Sequence, residues 1–132
     1  MRFPSTAAAG RFILSMLGVA LALVSNVSAH HSSAFFDHVN TVTVQGKVTR
    51  WHWQSPHSYL FVETKEPGGE VVEWRFEALN PPMLTRHGWT KDSFKFGDQV
   101  TVEAYPHKDR SVKFGWPTKI TKVDGTILIN AT

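Results

Sequence analysis

"TVTVQGKVTRWHW", residues Thr41 to Trp53, alternates in character at nearly every step. Val42, Val44, Gly46 and Val48 fall on one face, with Thr43, Gln45, Lys47 and Thr49 on the other. Alternation with a period of two over this length is the pattern of a half-buried strand, because successive side chains point to opposite faces of a sheet. Gly46 inside the run predicts a bend or bulge, the device by which a strand coils into a small barrel. His52, between Trp51 and Trp53, must face away from both.

Outward from this strand the chain keeps the same habit. "SYLFVET" predicts a second strand, "EPGGE" a hairpin turn, and "VVEWRFEA" a third strand with Val72, Trp74 and Phe76 on one face. "NPPMLTRHG" predicts a short helix over Pro81 to His87. Asn80 can cap its free N–H groups, Pro81 suits the first turn, and Gly88 can take the left-handed stop. "QVTVEAY" predicts a fourth strand, and a fifth is expected near Thr118 to Val123. Asp124-Gly125 then marks a tight hairpin into "TILIN". Three strands, a short helix and further strands predict an all-β fold with one short helix. The architecture expected is a small OB-like barrel of five to six strands, with a two-sheet sandwich as the competitor.

Upstream the character changes. Arg2 and Arg11 flank Phe12 to Val24, an apolar run of 13 residues, and Val27-Ser28-Ala29 carries small residues where a signal peptidase reads. This is the layout of a signal peptide, residues 1–29. A spanning anchor needs about 20 apolar residues, and a lipid anchor needs a cysteine, of which there are none. Cleavage after Ala29 leaves residues 30–132 as a single domain, exported to the periplasm with no stable membrane anchor. Arg2 and Arg11 are two of the 14 basic residues, so 12 remain against 11 acidic ones, a net of +1. A near-neutral domain argues against a nucleic-acid partner, which calls for a basic face. Without cysteines its stability rests on a packed core or on metal.

The same cleavage gives the chemistry its starting point. A chain beginning His30-His31 presents an α-amine and an imidazole that can close a chelate ring on one ion. Nitrogen donors in tetragonal array favour Cu(II). A further imidazole must complete the set. "WHWQSPHSY" offers His52 and His57, of which His57, in the strand connection after Pro56, is the better placed to meet a terminus. His30, His31 and His57 are therefore the candidate metal ligands, for one copper ion. His38, His87 and His107 read as loop or helix-end residues. Asn130-Ala-Thr132 matches a glycosylation sequon in its letters alone.

The ordered set "AHHS", "WQSPH", "EWRFE", "RHGW" and "GDQV" resembles a family of small exported bacterial proteins known only as a domain of unknown function. The family's W-x-NPH segment has Ser55 here in place of asparagine, with Pro56 and His57 intact. The resemblance spans essentially the whole of residues 30–132. It implies a periplasmic setting and points to His30, His31, His57, Glu77, Arg86, Gly88 and Trp89, without supplying an activity.

Three readings follow. The first is a non-enzymatic periplasmic metal-binding protein, for copper. The second is a binding module that offers Trp51, Trp53, Tyr59, Glu77, Arg86 and Trp89 to a small molecule, a sugar or another periplasmic protein. The third is a copper redox enzyme. It ranks last, because no acid or tyrosine can be set beside the metal from sequence. The processing step is directly testable: N-terminal sequencing of exported material should begin at His30, and a start at Met1 would remove the terminal chelate altogether.

Overall fold

The computed structural model describes residues 33–130. After a 3-10 turn at Ser33–Phe35 come β1 (Val42–His52), β2 (Ser58–Lys65), β3 (Val71–Ala78), helix α1 (Pro81–Arg86), β4 (Gln99–Pro106), β5 (Phe114–Lys122) and β6 (Ile127–Ile129). The expected cleavage site and residues 1–29 lie outside the described residues.

β1 is the longest strand and serves two partners. Val42 to Lys47 pair antiparallel with β4, and Lys47 to His52 pair antiparallel with β2. The handover falls at Lys47, immediately after Gly46. A Cβ on Gly46 would collide with the Glu63 carbonyl oxygen and lie 2.8 Å from Val62 Cγ1. The glycine is thus required for close backbone approach. The register irregularity itself lies slightly further on, between Val48 and Arg50, where the strand has already passed to β2.

β2 and β3 form an antiparallel hairpin, and β4 pairs antiparallel with β5. Arg75 and Phe76 of β3 then pair in parallel with Phe114 and Gly115 of β5. This last pairing closes the ring β1-β2-β3-β5-β4-β1, with β6 added to β5 as an extra strand. The structure is therefore a closed five-stranded mixed barrel with one short helix, the OB-like architecture that the element order predicts, and the sandwich is displaced.

The inward faces are those that alternation marks. Val44, Val48, Leu60, Val62, Trp74, Phe76, Val100, Val102 and Ile120 are all buried in one cluster. Leu84, Trp89 and Phe94 join the same cluster from the β3–β4 connection. Asn80 Oδ1 accepts from the Met83 N–H at 3.0 Å, and Pro81 opens the helix. The helix stops at Arg86, one residue before the expected end. The Gly88 N–H donates to the Thr85 carbonyl, and the Trp89 N–H to the Leu84 carbonyl. With Gly88 at φ +81°, this is the left-handed Schellman stop, and its usual apolar contact is made by the buried pair Leu84 and Trp89.

Two segments depart from expectation. β5 starts at Phe114 rather than near Thr118, because Gly115 and Pro117 read locally as breakers. Pro117 is accommodated at a register irregularity opposite Ala104, as proline in a sheet requires. Asn130 is buried. Its Nδ2 donates to the Pro117 carbonyl, and its Oδ1 accepts from the Leu79 N–H. The sequon asparagine is thus a structural brace between the end of β3 and β5.

The close backbone approach at Gly46 yields a clear expectation. Gly46→Ala should lower the unfolding free energy by at least about 2 kcal/mol, as overpacked sites do. Urea unfolding of the domain measures this, and an unchanged midpoint would show that the β1–β2 seam can open to admit a methyl group.

Candidate functional site

His57 ends the β1–β2 connection, immediately before β2. That connection is closed on itself by Ser58, whose hydroxyl donates to the Gln54 carbonyl at 3.4 Å and whose N–H donates to the Leu79 carbonyl at 3.2 Å. Glu77 stands near the end of β3, directly across from Tyr59 on β2. Alternation turns Arg75 and Glu77 to the outer face of the barrel, yet Glu77 is buried there.

The two side chains meet. His57 Nδ1 lies 2.9 Å from Glu77 Oε1, with side-chain exposures of 31% and 7%. The contact is close but not a hydrogen bond: Oε1 has no donor directed at it. An imidazole nitrogen thus stands beside this carboxylate oxygen without satisfying it. Burial pushes the Glu77 carboxyl up from its ordinary range, against the opposing pull of His57 and Arg75. Tyr59 is also raised, by burial first and then by the Glu77 charge.

Aromatic rings wall this pair. The Trp116 ring lies 6.4 Å from His57 and meets it edge to face, and its buried Nε1 has no hydrogen-bond partner. The Arg75 guanidinium lies over Phe114 at 4.2 Å and over Tyr59 at 5.7 Å. Phe36, almost wholly buried, packs on Trp116 at 6.0 Å and on Phe114 at 5.1 Å. The segment carrying Phe36 is strapped to the barrel. Its backbone bridges to His107, the Asp37 N–H donates to the Pro106 carbonyl, and Arg110 pairs with Asp37 at 2.6 Å.

The candidate residues separate into distinct places. His30 and His31 lie outside the described residues. Trp51 and Trp53 turn inward against the core, where Trp51 meets Phe94 at 5.2 Å and Trp89 at 5.8 Å. Trp89 is fully buried, and its Nε1 donates to the Ile129 carbonyl at 3.0 Å. These three tryptophans are packing residues at the helix end of the barrel. Tyr59 and Glu77 share the outer face with His57, and Arg86 is an exposed helix-end residue. The set Trp51, Trp53, Tyr59, Glu77, Arg86 and Trp89 is therefore not assembled on one surface.

The other histidines are engaged elsewhere. His52 faces outward against Phe61 at 5.2 Å, and His38 packs on Tyr105 at 5.0 Å. His87 caps the helix. His107 Nδ1 accepts from the Asp109 N–H at 3.0 Å. Among the described residues no three His, Cys, Asp or Glu side chains cluster into a metal site by themselves. Nor is any described helix long and apolar enough to cross a membrane.

Arg75, Trp116 and Phe36 belong to the site but not to the sequence-derived set. The alternation of β3 could have flagged Arg75, since it shares the outer face with Glu77. Trp116 was hidden by the glycine and proline on either side of it.

Glu77 makes stability depend on pH in a defined sense. Its folded pKa is raised, so its contribution is fully present below the ordinary carboxyl range of about 4.3 and is lost as pH rises through the folded value. The metal-free domain should lose stability over that interval. Glu77→Gln should flatten the loss and raise the neutral-pH melting temperature by a few degrees. Thermal melts across pH 4 to 8, read by circular dichroism, would expose the opposite sign.

No curated protein and no solved structure matches the chain. One family model does, over residues 19–115, which takes in β1 to β4 and the start of β5, together with His57, Glu77 and Phe36. On that match the chain belongs to a family of unknown function, DUF6152.

Proposed function

We propose that this is an exported, non-enzymatic metal-binding protein that holds one copper ion between a processed amino terminus at His30 and the imidazole of His57. Export to the periplasm is supported by Arg2, Arg11 and the apolar run that ends before Ala29. The observation that carries the metal reading is the docking of the segment that leads back to His30. Phe36, Trp116 and His57 lie ring to ring at 6.0 and 6.4 Å. His30 lies six residues before Phe36 in the sequence, and among the histidines the proposal takes His57 because its ring and that of Phe36 pack on the same Trp116.

A second reading has its own support. Tyr59, Phe61 and Phe114 line the outer face, with Arg50 4.0 Å from the Phe61 ring and Arg75 4.2 Å from that of Phe114. A flat ligand or a partner segment could stack there. The copper redox reading stays third, although Glu77 and Tyr59 now stand beside His57.

Mature protein beginning at His30 should bind one Cu(II) with a nitrogen-rich spin-resonance signature. An alanine added before His30 should weaken binding at least about tenfold, because it removes the amine from the chelate and spares every side chain. His57→Ala should weaken it comparably, and His107→Ala should leave it unchanged. Isothermal titration with Cu(II) measures all four proteins. An extension without effect would discard the terminal chelate and move the aromatic face ahead.

A further inference from the structure

Glu77 poses a problem that the proposed pairing of His30 with His57 does not solve. Its carboxylate is almost wholly enclosed, and Oε1 accepts no hydrogen bond although an imidazole nitrogen is 2.9 Å away. Buried polar atoms are nearly always paired, and an unpaired one calls for a specific explanation, an ion among them.

The geometry of the contact supplies one. Two donor atoms with no hydrogen bond between them are arranged as neighbouring ligands are. Nitrogen and oxygen ligands sit about 2.0–2.1 Å from a divalent ion. Donors 2.9 Å apart then subtend about 90° at the ion, the cis angle of a tetragonal site. A tetrahedral site with the same bond lengths would hold them about 3.3 Å apart. Tyr59 and Trp116 stand on either side as walls. Arg75, the nearest cation along β3, lies over Phe114.

We propose that Glu77 Oε1 and His57 Nδ1 are adjacent ligands of one tetragonally coordinated divalent cation on the outer face of β2 and β3. The proposal rests on the metal-binding reading but adds a ligand to it, an oxygen donor, and assigns Nδ1 as the metal-bound nitrogen. The imidazole proton then resides on Nε2. No electron transfer is involved, only displacement of protons from the donors. The carboxylate leaves the ion one net positive charge lower and gives the enclosed anion a partner.

The competing role for Glu77 is purely positional, with Nδ1–H turned toward the carboxylate and Nε2 bound to metal. Infrared difference spectra separate the two on the unaltered protein. Adding Cu(II) alone to mature protein beginning at His30 should shift one carboxylate stretching band, and Glu77→Gln should abolish that band's shift. Cu(II) affinity of the Gln variant should fall at least about tenfold; a residue that only supports a ligand can cause a loss of that size too, so the infrared band decides between the two roles. Its spin-resonance parameters should move toward a more nitrogen-dominated set.

If the wild-type carboxylate bands do not move, the ligand assignment is overturned whatever the variant does. If Glu77→Gln keeps its affinity while the alanine extension before His30 still loses it, the assignment falls and the copper site at His30 and His57 stands. If wild-type protein takes up no Cu(II), both fall together. The infrared measurement needs no substitution, so a misfolded variant leaves the decision intact.

Discussion

Two parallel residue pairs, Arg75 with Phe114 and Phe76 with Gly115, hold the barrel shut. Parallel pairing cannot come from a hairpin, so it is made only when the chain has run through α1 and β4 and returned. Its consequence is felt on both faces. Inward, it completes the wall around Phe76 and Ile120. Outward, it sets the end of β3 beside the start of β5, which is how Glu77 comes to stand among His57 and the rings of Trp116 and Phe114. The same closure that buries the core therefore builds the enclosed corner.

That corner runs against the usual economy of a small domain. A domain of this size buries a smaller fraction of its surface than a larger one does, and an enclosed carboxylate oxygen without a hydrogen-bond donor costs free energy that apolar packing would not. The barrel tolerates it because the surroundings are stiff. Asn130 ties the Leu79 N–H to the Pro117 carbonyl, and the strap from Phe36 to Arg110 covers Trp116. Unsatisfied groups held in this way are common where a protein keeps a site ready for a ligand.

How much of this was legible beforehand depends on how local the determinant is. The faces of β1, β2, β3 and β4 followed from alternation, and the helix ends from Asn80, Pro81 and Gly88, because each signal lies within a few residues of its effect. Trp51, Trp53 and Trp89 could be numbered but not oriented. Whether an aromatic ring on a strand faces a core or a ligand depends on what the helix end places over it. In the sequence Glu77 is a carboxylate near a strand end, with nothing local to mark it as enclosed. Its burial arises from β5, far further along the chain, and no local pattern records that. The first residues of β5 were missed for a related reason: Gly115 and Pro117 break a strand in isolation but fit where a neighbour's register slips.

The double duty of β1 also bears on how the chain comes to fold. Val42 pairs with Ala104, and Phe76 with Gly115, so the first strand and the third both wait for partners near the far end of the chain. Such distant contacts slow folding, because loop closure must precede any return from packing. A nascent chain that has emerged only as far as β3 can form a hairpin meander but has two bare edges and no closed core. Folding therefore has no stable halfway point. A chain of this kind stays open until its last strands are present, which is the condition a polypeptide must meet if it is to be threaded through a narrow pore before it folds.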